Sequence, residues 1–256
     1  MNTVEVRYFG RTVRLPDLPE YRKFYQKLEA GLWEPDTFRL LEAKLDRSTV
    51  YIDVGGWIGV TPLWASQIAK HVVMVEPDPT CRAILRDLVR SYMNVTLLEA
   101  ALSPEKQVRL HAVDGFGSSE TTALDIANGE TSEAAGIPAD EVMRHAGASE
   151  IVVKIDIEGY EYQIVSELMR FAEYPLRALQ LAVHPALYER TLRAPHPLAR
   201  LLTLLATYRL VRSFRGLSGR PLRAKYRSVL TYLTLGILLR ITPRGTDLLF
   251  TPTQPN

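Results

Sequence analysis

Short apolar runs alternate along this chain with stretches of helical period. Residues 50–54, 71–75, 95–98, 151–155, 178–183, 208–214 and 247–251 have the length and β-branched content of buried strands. Helical spacing fills 62–68, 79–92, 160–171 and 198–206, and 107–113 suits a further strand. The alternation predicts an α/β fold, a doubly wound, mostly parallel sheet of seven strands with helices on both faces. Residues 1–48 form a lead-in: a short strand or two within 4–15, broken by Pro16 and Pro19, then helices over 20–30 and 36–45, the second capped by Asp36. The main domain runs over 49–256. Its stretch 127–148 is rich in Gly, Ala and Glu and predicts a mobile loop with a short helix near 140–145.

In open sheets of this kind ligands sit beyond the carboxyl ends of the strands. The first long strand ends in Asp53, followed by Gly55, Gly56 and Gly59, then Thr61 and Pro62. That is strand, tight turn, helix, a place where backbone approaches a ligand closely and helix N–H groups favour negative charge. Glu76 stands 23 positions after Asp53, close to the spacing at which a carboxylate accepts from a ribose diol. Asp78, just before Pro79, suits a helix cap better. Ala101, in the small apolar segment 100–102, offers a wall for a flat base. After the strand at 151–155 come Asp156, Glu158 and Glu161, with Lys154, Asp156 and Glu158 on one face in period two. Such a group holds a divalent cation, acts as general base, or binds substrate hydroxyls; a helix-capping cluster is the plainer alternative. His184, at the end of the following strand, either accepts a proton from a hydroxyl or is an ordinary surface histidine.

Taken in order, Asp53-Val54-Gly55-Gly56 to Gly59, Glu76-Pro77, Ala101-Leu102-Ser103 and Lys154-Ile155-Asp156-Ile157-Glu158-Gly159-Tyr160-Glu161 resemble the FkbM family of S-adenosylmethionine-dependent methyltransferases. The last run is the most specific, and Trp33-Glu34-Pro35 also resembles a family feature. The resemblance spans about 30–215 and the final strand. It implies a Rossmann-like class I methyltransferase sheet whose last strand is antiparallel, with S-adenosylmethionine as donor and O-methylation of a sugar, glycolipid or other natural product. It further implies a cofactor set of Glu34, Asp53, Gly55, Gly56, Gly59, Glu76 and Ala101. The catalytic set is Asp156 or His184 as base, with Glu158 positioning the acceptor or a metal such as Mg2+ held with Asp156. Two departures stand out. Gly56-Trp57 replaces the usual Ala-Asn, and Ala182 stands where an acid often precedes the histidine.

Charge adds one feature. The net charge of +2 over 256 residues hides a segregation: Arg190 to Arg244 holds twelve of the 31 basic residues and no acid, leaving 19 basic against 29 acidic elsewhere. Within it, 216–244 reads as an insertion whose basic flank precedes an apolar run. Residues 220–240 are expected to lie on a membrane surface or to serve as a core or dimer helix. No nucleic acid partner is expected. Cys81 is the single cysteine, which excludes an internal disulfide. With no signal-peptide pattern around Glu5 and Arg7, the expectation is a cytoplasmic protein, peripheral to the inner membrane at most. Two rivals are a nicotinamide-dependent oxidoreductase and a non-catalytic protein that binds anionic surfaces.

Overall fold

The computed structural model describes residues 1–126, 129–214, 216–221 and 246–252. The lead-in opens with an antiparallel hairpin of β1 (Thr3–Tyr8) and β2 (Arg11–Pro16), turned at Phe9 and Gly10, both at positive φ. Helices α1 (Arg22–Glu29) and α2 (Pro35–Lys44) follow. The lead-in is thus half strand. Asp36 does not cap α2. Glu34 holds that position in a left-handed conformation, Pro35 opens the helix, and Asp36 pairs with Arg39 one turn on.

Strand β3 (Val50–Val54) and helix α3 (Val60–Ala65) lead to β4 (His71–Val75), α4 (Pro79–Val89) and β5 (Val95–Leu98). All five residues of β3 are buried, as a strand covered on both faces requires. The chain then builds a second sheet from β6 (Ala100–Leu102), β7 (Gln107–Ala112), β8 (Thr121–Thr122) and β9 (Glu130–Ile137), ordered β6-β9-β7-β8. All of β9 falls where the composition of 127–148 suggested a loop; its ladder against β7 overrides the Gly and Ala content. Helix α5 (Ala139–Ala146), strand β10 (Ile151–Ile155), helix α6 (Val165–Arg170) and strand β11 (Leu176–Val183) return the chain to the main sheet. The helix expected over 160–171 is broken, with 3-10 turns at Tyr160–Tyr162 and Phe171–Glu173 on either side of α6.

After β11 come α7 (Pro185–Thr191), α8 (His196–Ser213), β12 (Leu217–Pro221) and β13 (Thr246–Pro252). The strand expected over 208–214 is instead the end of α8. Its Leu210 continues, at helical spacing, the inward stripe of Ala199, Thr203 and Thr207, and the Tyr162 hydroxyl lies 2.8 Å from that of Thr207. The sheet's edge strand is β12. The apolar part of the insertion expected at 216–244, and the segment 222–245 generally, lies outside the described residues.

The main sheet has the order β12-β13-β11-β10-β3-β4-β5, with β13 antiparallel to both neighbours and the other pairs parallel. Its direction of winding reverses between β3 and β10, and the strand ends there form the switch point at which such sheets bind ligands. One face packs Val50, Ile52, Val54, Val153 and Ile155 against α5, α6 and the second sheet. The opposite face packs Tyr51, Val72 and Val152 against the lead-in. That second face also carries Asp53, Lys154 and Gln180, in register across three strands. Among the described residues no helix is long and apolar enough to cross a membrane.

Candidate functional site

The turn after β3 is held by backbone. Gly55 and Gly56 N–H groups donate to the Val75 carbonyl, and the Asp156 N–H donates to Val54 O at 2.9 Å. Gly55 has φ +93°, and a Cβ there would lie 1.9 Å from the Asp156 carbonyl oxygen. Only glycine lets β3 and β10 come this close. Gly56 serves packing instead, since a Cβ would strike the Met74 side chain, whereas Gly59 sits at φ +90°, a left-handed conformation that favours glycine, with Leu63 and Leu85 close by. Trp57 adopts φ 47°, unusual for a bulky residue. Its ring is gripped by Tyr21 and Phe24, and its indole N–H donates to Gly117 O at 3.0 Å.

Glu76 at the end of β4 is 5% exposed. Its two oxygens accept from Trp57 N–H at 2.7 Å and Asp78 N–H at 2.8 Å. Burial raises its carboxyl to about 8, against the lowering effect of those two bonds. Asp78 is committed elsewhere. One oxygen caps α4 through Thr80 and Cys81 N–H, and the other accepts from Gly117 N–H and the Thr121 hydroxyl. Cys81 is buried in the helix that Asp78 caps, with its thiol pushed up by burial.

Beneath the turn lies a buried polar pit. Asp53 is 1% exposed and neither carboxylate oxygen has a hydrogen-bond partner. Burial lifts its carboxyl to about 7 even though the Lys154 ammonium opposes the rise. Glu34 looks into the same region and is likewise raised to about 7, by burial first, with Lys154 opposing and Asp156 adding to the rise. A chain of bonds joins this corner to the sheet. The Thr37 hydroxyl donates to Glu34, and the Gln180 amide donates to Thr37 at 2.8 Å and to Asp247 at 3.0 Å.

The third element is the acidic end of β10. Lys154, almost wholly buried, donates to Asp156 Oδ2 at 2.9 Å. The His184 Nε2 lies 3.6 Å from Asp156 and 3.5 Å from Glu158, and its Nδ1 lies 3.5 Å from Glu161. Glu161 is fully buried and accepts from the backbone N–H groups of Gly159 and His184. Burial favours the neutral imidazole, but the surrounding carboxylates, Glu158 foremost, outweigh it and raise His184 to about 10. Burial alone would raise Asp156; Lys154 and His184 instead bring it below the usual carboxylate range. Glu158 is the acid left over. It sits at φ 51°, and burial, with Asp156 and Glu161 adding, lifts it to about 8 against the pull of His184.

A cleft opens at the switch point, with about 580 Å3 of empty space, part of it open to solvent. Val75, Pro77, Ala101, Leu102 and Leu110 supply an apolar wall; Glu76 projects into it, and Asp156 and Glu158 close the far end. Of the residues expected to hold a cofactor, Gly55, Glu76 and Ala101 border the cleft. Glu34, Asp53, Gly56 and Gly59 do not. His184 stands behind Asp156 and Glu158. Among the wall residues that escaped the sequence are Leu110, Ser118 and Thr121, while Trp57 had entered it only as a departure from the family pattern.

No family model matches the chain, and no curated protein matches its sequence. Solved structures give faint likenesses. A putative methyltransferase from Streptococcus mutans in complex with SAH is 10% identical with a TM-score of 0.48, over 84% of this chain and 94% of that one. An rRNA methylase from Streptococcus thermophilus is 8% identical at 0.45, over 84% and 93%. A fibrillarin pre-rRNA processing protein of Methanococcus jannaschii is 10% identical at 0.45, over 98% and 88%.

Asp156, Glu158 and His184 each offer one ligand atom within 4.8 Å of the others, so the donor set can be tested for a cation. It suits Mg2+ poorly. That ion wants near-octahedral oxygen ligation, whereas here one donor is an imidazole nitrogen and one carboxylate is already neutralised by Lys154.

Proposed function

We propose that the chain is an S-adenosylmethionine-dependent methyltransferase acting on a hydroxyl of a sugar, glycolipid or other natural product. The observation that carries this reading is the switch-point cleft, with a buried carboxylate on its apolar wall and a graded set of acids at its far end. Two of the roughly four lone-pair sites on Glu76 are taken by backbone N–H groups, which leaves two for the vicinal hydroxyls of a ribose. The wall of Ala101, Leu102 and Leu110 fits a flat base. Asp53 and Glu34 lie outside the cleft and act through charge, making its β3 end favourable to a cation.

When bound, the donor supplies a sulfonium methyl that an oxygen lone pair displaces, the C–O bond forming as the C–S bond breaks. The chain's tasks are alignment and removal of the hydroxyl proton. The sequence put the base on Asp156 or His184. The electrostatics favour Glu158, because His184 is held cationic and Asp156 is held ionised by Lys154, whereas a carboxyl near 8 is matched to taking a proton at neutral pH. His184 and Lys154 then keep Asp156 and Glu158 in place, and their positive charges attract the developing alkoxide. No metal step is needed, so EDTA is expected to leave turnover unchanged; loss of activity with EDTA and its return with a divalent ion would contradict this.

The strand order argues against the nicotinamide rival. A dinucleotide sheet of order 3-2-1-4-5-6 is parallel throughout, whereas here antiparallel β13 is wedged between β11 and β12. Calorimetry decides between the readings: S-adenosylhomocysteine is expected to bind and NAD is not. Binding of neither would favour a non-catalytic role. A screen of sugar and glycolipid hydroxyls with labelled donor then finds the acceptor.

A further inference from the structure

We propose that α8 lays the protein on an anionic lipid surface. The helix carries its residues the wrong way round for a soluble one. The small Ala199, Thr203 and Thr207 face inward with Leu210. Leu198, Leu201, Leu202, Leu205 and Tyr208 face outward, each between 39% and 50% exposed. At 3.6 residues per turn these five, together with exposed Arg209 and Arg212, fall within an arc of about 120°. Tyr208 and Arg212 are joined: the guanidinium stands 5.3 Å from the ring centroid and donates to the hydroxyl at 2.7 Å. Single exposed leucines are ordinary, but a contiguous stripe of four that ends in arginines is an interaction surface.

Charge identifies the occupant. Along α8 itself, from His196 to Ser213, the chain has Arg200, Arg209 and Arg212 and no acid. A second copy docked through this face would present the same acid-free helix, because a two-fold contact pairs a patch with itself. It would cover the leucines and leave the arginines opposed. A bilayer rich in anionic lipid meets both needs, with acyl chains under the leucines and head-group phosphates beside Arg209 and Arg212. This placement is independent of the membrane contact expected for 220–240 and of the methyl-transfer reading.

Vesicle flotation of the full chain tests it, with phosphatidylcholine alone and with phosphatidylglycerol added. The protein is expected to float with the anionic vesicles, to stay behind with neutral ones, and to be released by high salt. The pair Leu201→Gln with Leu205→Gln is expected to lose most of the bound fraction while its thermal unfolding midpoint holds. Arg209→Gln with Arg212→Gln is expected to lose the preference for phosphatidylglycerol. Three results would overturn the proposal: no flotation of the native chain with anionic vesicles, flotation of the leucine variant equal to it, or a dimer in light scattering that the leucine changes dissociate.

Discussion

At the residue scale the site rests on two carboxylates with different jobs. Glu76→Gln puts an amide NH2 against one of two backbone N–H donors and, above about pH 8 where the carboxyl is ionised, removes the charge that would hold a ribose diol. Losing a charged acceptor costs about 1.5–3 kcal/mol, so calorimetry should show S-adenosylhomocysteine binding weakened roughly 10–100-fold. Turnover at saturating donor should change little. Glu158→Gln should behave the other way. Turnover is expected to fall about 100-fold or more with donor affinity held, and the rise of rate with pH through about 8 in the native enzyme should vanish. A native profile flat between pH 7 and 9 would remove Glu158 from the proton transfer. Much of this was readable beforehand, because acids at the ends of buried strands contradict their surroundings. What could not be read was division of labour. Asp156 and Glu158 look alike in sequence, and only Lys154 on one side and His184 behind both separate their ionisation. Gln180, a lone amide within the apolar β11, was a signal of the same kind that went unused.

At the scale of elements, the glycine turn shows which part of a motif is structural. Gly55→Ala adds a methyl 1.9 Å from a carbonyl oxygen at φ +93°. The left-handed backbone alone costs about 1–3 kcal/mol, and the clash adds to it, so the urea midpoint should drop substantially. Gly10→Ala is the internal comparison: φ +71° in the hairpin turn with nothing within 4 Å of the added Cβ. It should pay the backbone cost only, and equal losses in the two variants would mean that the approach of β3 to β10 tolerates a side chain. Strand and helix placement was legible wherever the apolar pattern was long, as in β3, β4 and β10. It failed where two periods coincide. Residues 208–214 alternate like a strand, yet Leu210 also falls on the inward stripe of α8, and packing chose the helix. Of the second sheet only β7 was readable, as the strand at 107–113; the rest was hidden because its pairs, β6 with β9 and β7 with β9, join distant segments of modest β propensity.

For the whole molecule the decisive quantity is how many protons folding takes up. Asp53 rises from 3.8 to about 7, Glu34 from 4.5 to about 7, Glu76 and Glu158 from 4.5 to about 8, and His184 from 6.5 to about 10. In every case the folded chain binds more protons than the unfolded one between the two values, so stability falls as pH climbs through the window. The acids contribute this fall from about pH 4 to 8, and His184 extends it from 6.5 towards 10. Below that range the sign reverses, because Asp140 and Glu99 are lowered by their arginine partners and their contribution is lost as they protonate. The unfolding midpoint without ligand should therefore be higher at pH 6 than at pH 9. The methyl-transfer reading adds a second term of opposite slope. A sulfonium donor is held best by ionised acids, so the midpoint gain it gives should grow with pH from 6 to 8. S-adenosylhomocysteine lacks that charge on sulfur and should show a flatter dependence. Scanning calorimetry across pH with each compound separates the two terms. Parallel curves for the two compounds would mean that the acids at the ends of β3 and β10 are blind to the charge on sulfur, and that the cleft holds its ligand by shape and by Glu76 alone.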